Sequence, residues 1–270
     1  MVKSLSDNVL SIYVSSTDRY DWLHEGFFFY FHKYWSDCPY EIYLGSETKE
    51  FHDNRVNSLT IGEETQWGDL TIKNLEKIQS PYILLMLDDF FLERNVDSDV
   101  IKAIITKTQE LGAKHVRLSE NGLPKKLSLN EVENGFINIC QSKYYRCSLQ
   151  TAIWEREYLL SILRSEENPW EFELRGSERI SCSDGIYFLK KQPLIFHFGG
   201  VAHKGYLERK FAKRMQKDGL LFNNRYVMTR RRQILKFLED LHNDLHLSNK
   251  IPQKIKNFVK RKMGESKFGQ

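Results

Sequence analysis

A chain of 270 residues and 32.0 kDa is long enough for one large domain or two small ones with a substantial core. Its 41% hydrophobic and 13% aromatic residues, with only six prolines, exclude a wholly disordered polypeptide. Forty basic against 36 acidic residues leave a net charge of +4, too small by itself to mark a nucleic-acid binder, and no nucleic-acid partner is expected.

In chain order, Val9 to Val14 reads as a strand, closed by the loop chemistry of Ser15-Ser16-Thr17-Asp18. The aromatic-rich segment from Asp21 to Trp35 is long enough for a helix that Asp37-Cys38-Pro39 ends. Strands are expected at Glu41 to Leu44 and Ser58 to Ile61, then a helix from Trp67 to Gln79. Tyr82 to Leu87 is continuously apolar, as a strand covered on both faces requires, and it stops at Asp88-Asp89. A helix from about Ser98 to Leu111 and a strand at His115 to Leu118 complete an alternation that predicts an α/β layered domain with a mostly parallel sheet.

Beyond Gly122 the pattern becomes mixed, with a helix at Trp154 to Leu163, an irregular stretch from Pro169 to Asp184 and a glycine-punctuated run from Phe196 to Lys204. The predicted organisation is an α/β domain over 1–225 and a basic helical extension over 226–270. Arg230-Arg231-Arg232 opens that extension, and Lys250, Lys254, Lys256, Lys260, Arg261 and Lys262 surround an apolar side of Ile251, Ile255, Phe258, Val259 and Met263. Such a helix fits either the face of an anionic membrane or a packed hairpin with a solvated basic side. The polar stretch Met1 to Asn8 carries no apolar signal core, and no run approaches the ~20 apolar residues of a membrane span. The expected location is the cytoplasm, with contact at the inner face of the cytoplasmic membrane left open. Cys38, Cys140, Cys147 and Cys182 form no Cys-x-x-Cys pair and no zinc spacing, so reduced structural thiols are expected.

The chemistry is expected at Asp88 and Asp89, because ligands of open α/β sheets sit outside the carboxyl ends of strands. Paired carboxylates there suit Mg²⁺ or Mn²⁺, ions that commonly join one or two carboxylates to substrate phosphates. The competing reading is a turn or helix-capping Asp beside a solvated one.

The run Tyr82-Ile83-Leu84-Leu85-Met86-Leu87-Asp88-Asp89-Phe90-Phe91-Leu92 resembles the DxD-type region of nucleotide-sugar-dependent glycosyltransferases with the GT-A fold. The segments Ser148-Leu149-Gln150-Thr151-Ala152-Ile153-Trp154 and Asn168-Pro169-Trp170-Glu171-Phe172-Glu173-Leu174-Arg175-Gly176-Ser177 extend the likeness toward a bacterial group that assembles capsule and lipopolysaccharide sugars. It spans roughly residues 9 to 205 and departs from a strict Asp-x-Asp, since the two aspartates are adjacent. The resemblance implies a GT-A-like, Rossmann-like fold and a nucleoside diphosphate sugar donor, UDP-sugar first. It also implies a glycan or lipid-linked acceptor and Mn²⁺ or Mg²⁺ as cofactor.

On that resemblance Asp89 is the metal ligand, Asp88 contacts the metal, its water or the ribose, and His203 or His197 supplies a third ligand. Lys204 adds charge toward phosphate. Tyr13, Ser15 and Asp18 receive the nucleotide base, or simply form the turn. Trp67 and Asp69 line the donor pocket, with helix capping as the other reading of Asp69; Gln150 and Trp154 touch donor sugar or acceptor, unless Trp154 is core. Glu173, with Glu171 second, is the expected catalytic base. An extended Trp170-Glu171-Phe172-Glu173 would place both carboxylates on one face, and the alternative is surface ion pairs with Arg175 and Arg179. Direct displacement with inversion follows from a base without a nucleophile. The readings outside this family are a metal-dependent nuclease or phosphotransferase, and a non-catalytic membrane-surface protein.

Overall fold

The computed structural model describes residues 9–118, 131–133, 135–139, 146–181, 183–189, 200–220, 223 and 226–237. The chain divides into two compact units, residues 1–199 and 200–270.

The first unit begins with β1 (Leu10–Ser15), a 3-10 turn (Asp18–Leu23), α1 (His24–Tyr34), β2 (Glu41–Ser46), β3 (Val56–Thr60), α2 (Trp67–Leu75) and β4 (Tyr82–Leu87). It continues through α3 (Ser98–Glu110), β5 (His115–Arg117), β6 (Glu131–Glu133), β7 (Phe136–Asn138), β8 (Ala152–Glu155), α4 (Arg156–Ile162), α5 (Pro169–Arg179) and β9 (Ile186–Leu189). The strands form one sheet in the order β3-β2-β1-β4-β8-β5-β9-β7-β6. β3, β2, β1 and β4 pair in parallel. β8 runs antiparallel to both β4 and β5, so β5, and β9 parallel to it, point the same way as β4. The predicted α/β architecture with its largely parallel sheet is what forms.

Two expectations change in detail. The apolar run at Ala152–Glu155 is a strand, and the helix starts only at Arg156, because Trp154 pairs with both Ile83 and His115 in the middle of the sheet. The stretch after Asn168 is helical. Asn168 accepts from the amides of Trp170 and Glu171 while the Glu171 carboxylate accepts from the Asn168 amide, and Pro169 presets the first turn.

One face of the sheet presents Tyr13, Ile83, Leu85, Trp154, Ile186 and Phe188 to Trp67 and Leu75 of α2, Leu159 and Ile162 of α4, and Phe172 of α5. The alternate residues Leu10, Ile12, Val14, Leu84 and Met86 are buried on the other face. The first crossover runs from β1 outward to β2 and the crossover through α2 returns from β3 to β4. Right-handed connections therefore place α1 and α2 on opposite faces. The direction reverses between β1 and β4, so the crevice of this sheet opens between their carboxyl ends.

α2 and the segment before α5 are fused at that edge. The amides of Gly68 and Asp69, free donors of the first helical turn, give their hydrogens to the carbonyls of Glu167 and Ser165 at 3.0 and 3.1 Å. A Cβ on residue 68 would stand 2.0 Å from the Arg164 carbonyl oxygen, a backbone atom that cannot step aside. Gly68→Ala should therefore cost about 3 kcal/mol or more. The check is a urea titration, with a lowered midpoint at unchanged slope.

In the second unit β10 (Ala202–His203) and β11 (Tyr206–Leu207) form a hairpin, followed by α6 (Arg209–Lys217) and a helical stretch over 230–237. The two turn residues Lys204 and Gly205 both have positive φ, 50° and 81°. That matches a tight two-residue hairpin turn. Among the described residues no helix is long and apolar enough to cross a membrane.

Candidate active site at the carboxyl edge of the sheet

Asp88 and Asp89 leave β4 at the crevice between β1 and β4. The Asp88 amide donates to the Ser15 carbonyl at 3.3 Å, continuing the β1–β4 ladder one step beyond its last pair. Phe91, two residues on, wedges its ring between Phe27 and Tyr30 of α1, with centroids 6.2 and 5.7 Å away. The acidic pair is thus held on both sides, by a strand before it and an aromatic anchor after it.

Asp88 is buried, and the Ser16 hydroxyl donates to its Oδ2. Burial and the neighbouring Asp89 charge push the Asp88 carboxyl well above its usual value, against the help of the Ser16 bond. Burial likewise pushes Asp89 up to about 7. No basic side chain is among the groups that act on either carboxylate. Two desolvated acids that disfavour each other's charge and have no counter-ion among the described residues are suited to a divalent cation. Among the described residues no third His, Cys, Asp or Glu completes a protein-only metal cage. Two carboxylates are still enough for a Mg²⁺ or Mn²⁺ that takes its remaining ligands from water and substrate phosphate.

The other expected residues divide into three groups. The first lies at the same edge. Ser15 ends β1 and its Oγ accepts the indole N–H of Trp67 at 2.9 Å, while the Trp67 ring lies 5.5 Å from Phe172. Trp67 is therefore a strut between β1 and α5. Asp18 accepts from the amides of Glu47, Thr48 and Lys49 at 3.0–3.1 Å, tying the loop after β1 to the loop after β2. Burial opposes its ionisation, but the bonds from Thr48 and Lys49 outweigh that and hold its carboxyl below the usual range. Because β8 is antiparallel to β4, Ser148, Leu149 and Gln150, which lead into it, emerge where β4 exits. Gln150 Oε1 is buried there without a hydrogen-bond partner among the described residues.

Glu173 belongs to this group. Its Oε1 accepts from the Leu149 amide at 2.7 Å and the Ser148 hydroxyl at 3.2 Å. The expected extended segment is corrected: residues 171 and 173 of a helix point roughly 200° apart, so the two carboxylates do not share a face. Glu171 closes the helix cap and meets Arg175 at 3.4 Å.

A second group is corrected by burial. Tyr13 is 0% exposed, facing Asn74 and Gly45, and burial pushes its phenol up to about 12. Trp154 is also 0% exposed, its ring centroid 4.0 Å from His115. Neither can stack on a ligand, because both lie on the sheet face covered by α2 and α5. Asp69 accepts from the Thr65 hydroxyl and pairs with Lys73 one turn along α2, an ion pair on the helix surface and not a cap, since α2 has no side-chain cap bond.

The third group lies beyond residue 189. His197, like Cys140 and Cys182, is outside the described residues. His203 and Lys204 belong to the hairpin of the second unit. Cys38 and Cys147 are free thiols, as expected.

Sequence reasoning missed Ser16, His24 and Arg117. His24, the first residue of α1, is buried with its Nε2 2.8 Å from Ser16 Oγ. Arg117, at the carboxyl end of β5, is 1% exposed, and burial pulls its pKa down to about 10 although the Glu173 charge resists this. A basic residue inside a three-residue strand was the available signal for Arg117. Ser16 looks like any turn serine, and His24 like one ring in an aromatic helix.

No family model and no curated protein matches the sequence. Among solved structures the chain is similar to S. aureus TarS, at 11% identity and a TM-score of 0.43, over 68% of this chain and 37% of that one. A TarS structure in complex with UDP-GlcNAc is similar at 11% identity and a TM-score of 0.44, over 66% of this chain and 57% of that one. A Drosophila beta-1,4-galactosyltransferase 7 variant in complex with manganese, UDP-Gal and xylobiose is similar at 13% identity and a TM-score of 0.26, over 66% and 68%. The chain spans little more than a third of the length of the first of these, and all the TM-scores lie below 0.5. The functional reading therefore rests on the geometry of the acidic crevice and on the sequence motifs around it.

Proposed function

We propose that the protein is a nucleotide-sugar-dependent glycosyltransferase, moving a sugar from a nucleoside diphosphate donor, UDP-sugar first, to a glycan or lipid-linked acceptor. The single observation that carries the reading is the desolvated Asp88–Asp89 pair, without a basic side chain acting on it among the described residues, at the carboxyl ends of β1 and β4. A nuclease or phosphotransferase would use the same pair but needs a basic groove around it.

Asp89 and Asp88 would hold Mn²⁺ or Mg²⁺, which when bound supplies the positive charge that a leaving diphosphate requires. Asp18 and Ser15 order the loop edge that receives the nucleotide, Trp67 braces it, and Gln150 offers an acceptor atom to a sugar hydroxyl. Glu173 takes the proton of the attacking acceptor hydroxyl, and inversion by direct displacement follows. Glu171, engaged in the helix cap, is left out of the chemistry.

The measurement that tests this is calorimetric titration of UDP-, GDP- and CMP-sugars with and without Mn²⁺. Mn²⁺-dependent binding of one donor class is expected; binding of none, at millimolar concentration, overturns the reading.

The finer setting we propose is bacterial capsule or lipopolysaccharide assembly at the inner face of the cytoplasmic membrane. Charge supports a surface role for the chain's end: residues 200–270 carry 18 basic against six acidic side chains, whereas residues 1–199 carry 22 against 30. Within that end, residues 226–270 form the extension that would face anionic lipid. Deleting the chain after Ser248 should leave donor binding and donor hydrolysis nearly unchanged yet weaken cosedimentation with anionic vesicles. Raising salt should weaken it in the full chain as well, because screening shortens from about 8 Å at physiological ionic strength to about 3 Å at 1 M. A full chain that ignores such vesicles at low salt would remove the membrane proposal.

A further inference from the structure

We infer that Ser16 and His24 are positioning residues, a chain of uncharged hydrogen-bond donors that fixes the orientation of Asp88 for a divalent cation. The inference rests on the reading of the acidic pair as a cation site and goes beyond it in naming what holds that pair in place.

Ser16 stands one step past the last β1–β4 pair, Ser15 with Leu87, so the ladder itself delivers its side chain to Asp88 across 72 residues of sequence. The Ser16 hydroxyl donates to Asp88 Oδ2, and His24 Nε2 lies 2.8 Å from the same Ser16 oxygen. Ser16, His24 and Asp88 are 4%, 3% and 7% exposed.

The direction of the chain follows from counting hydrogens. A serine hydroxyl has one, and here it is given to the carboxylate. The contact with His24 is then made by a hydrogen on Nε2, donated to Ser16 Oγ. Burial pulls His24 down to about 4, so the ring is neutral at pH 7 and carries a single N–H, which this contact places on Nε2. The Phe51 ring meets the imidazole edge-on at 5.8 Å and fixes its plane.

Neutrality is what makes the arrangement useful. A lysine or arginine at either position would orient Asp88 equally well but would neutralise it, and would compete with the cation for the same oxygens. A serine and a neutral histidine orient the carboxylate and leave its charge for the metal. Hydrogen-bond partners of this kind behind metal ligands commonly tune affinity by 10–100-fold.

The test is Mn²⁺ affinity of the full chain in the presence of UDP, read from the free-ion electron paramagnetic resonance signal, with thermal midpoints in parallel. Ser16→Ala and His24→Phe should each weaken Mn²⁺ binding roughly 10–100-fold. His24→Gln, which returns an N–H donor at similar reach, should recover most of the loss. Wild-type Mn²⁺ affinity in Ser16→Ala overturns the inference and leaves the glycosyltransferase reading standing. Should Ser16→Ala lower the thermal midpoint sharply, the two His24 variants decide: equal losses in Phe and Gln overturn the relay, and recovery in Gln alone supports it. If the wild-type chain itself shows no Mn²⁺ binding with UDP, matching Asp89→Asn, both the relay and the cation site fall.

Discussion

Asp89→Asn should abolish sugar transfer and, at the same time, make the metal-free protein more stable above neutral pH. The first effect follows from removing the charge that holds a cation against the donor diphosphate, with a nearly isosteric side chain left behind. The second follows from linkage. Burial raises the Asp89 carboxyl from 3.8 to about 7 in the folded chain. Between those values the folded state keeps a proton that the unfolded state releases, so stability falls as pH rises through the window and stays low above it. A shift of about three units corresponds to at most ~4 kcal/mol. Asn carries no such penalty, and each kcal/mol moves the melting temperature by roughly 2–4 °C in a protein of this size. Melts of chelator-treated protein should show the variant several degrees above wild type at pH 8 and level with it near pH 4. Asp88→Asn should be milder in transfer, since its amide oxygen still accepts from Ser16. Wild-type turnover of both variants in the presence of chelator would remove the metal assignment.

That a functional pair is legible at all depends on where the sequence puts it. Tyr82 to Leu87 is apolar at every position, which only a strand covered on both faces tolerates, and the break to Asp88-Asp89 marks the strand's end without any knowledge of its neighbours. The helix after Asp97 was equally local, its start written in a capping aspartate that accepts from Asp99 and Val100. Tyr13 was not legible as core, and for Trp154 the sequence left core and crevice both open. Alternation along a strand says which residues share a face, but when both faces are covered it does not say which aromatic touches a helix and which lines a crevice. The error at Trp170 to Glu173 was avoidable. Aromatic and acidic residues alternate there as in a strand, yet Asn168-Pro169 with Glu171 three residues after the asparagine is a helix start, and its capping hydrogen bonds outweigh the alternation. The Ser16–Asp88 contact leaves no local trace, because the β1–β4 pairing that makes it relates positions 72 residues apart.

Glu173→Gln should lower kcat by about 10²–10⁴-fold, the usual loss on removing a general base, with donor affinity little changed. The structure gives Glu173 a second occupation, which sets how the result must be read. Its Oε1 holds the Leu149 amide, and its charge faces the buried Arg117. Gln keeps an acceptor oxygen for Leu149, so the segment entering β8 should stay in place, while the loss of charge is felt by the buried Arg117 and Cys147. A purely structural Glu173 would therefore show a lowered thermal midpoint and a donor affinity that weakens together with kcat. A base would show kcat falling at constant donor affinity and near-constant midpoint. Glu171→Gln supplies the control on the same helix: glutamine also closes a capping box, so near-wild-type values of all three quantities are expected. An equal kcat loss in Glu171→Gln, with Glu173→Gln failing only through its midpoint, would move the base to Glu171. That outcome would require Glu171 to leave its bond with Asn168, and the first turn of α5 to loosen, before an acceptor could be deprotonated.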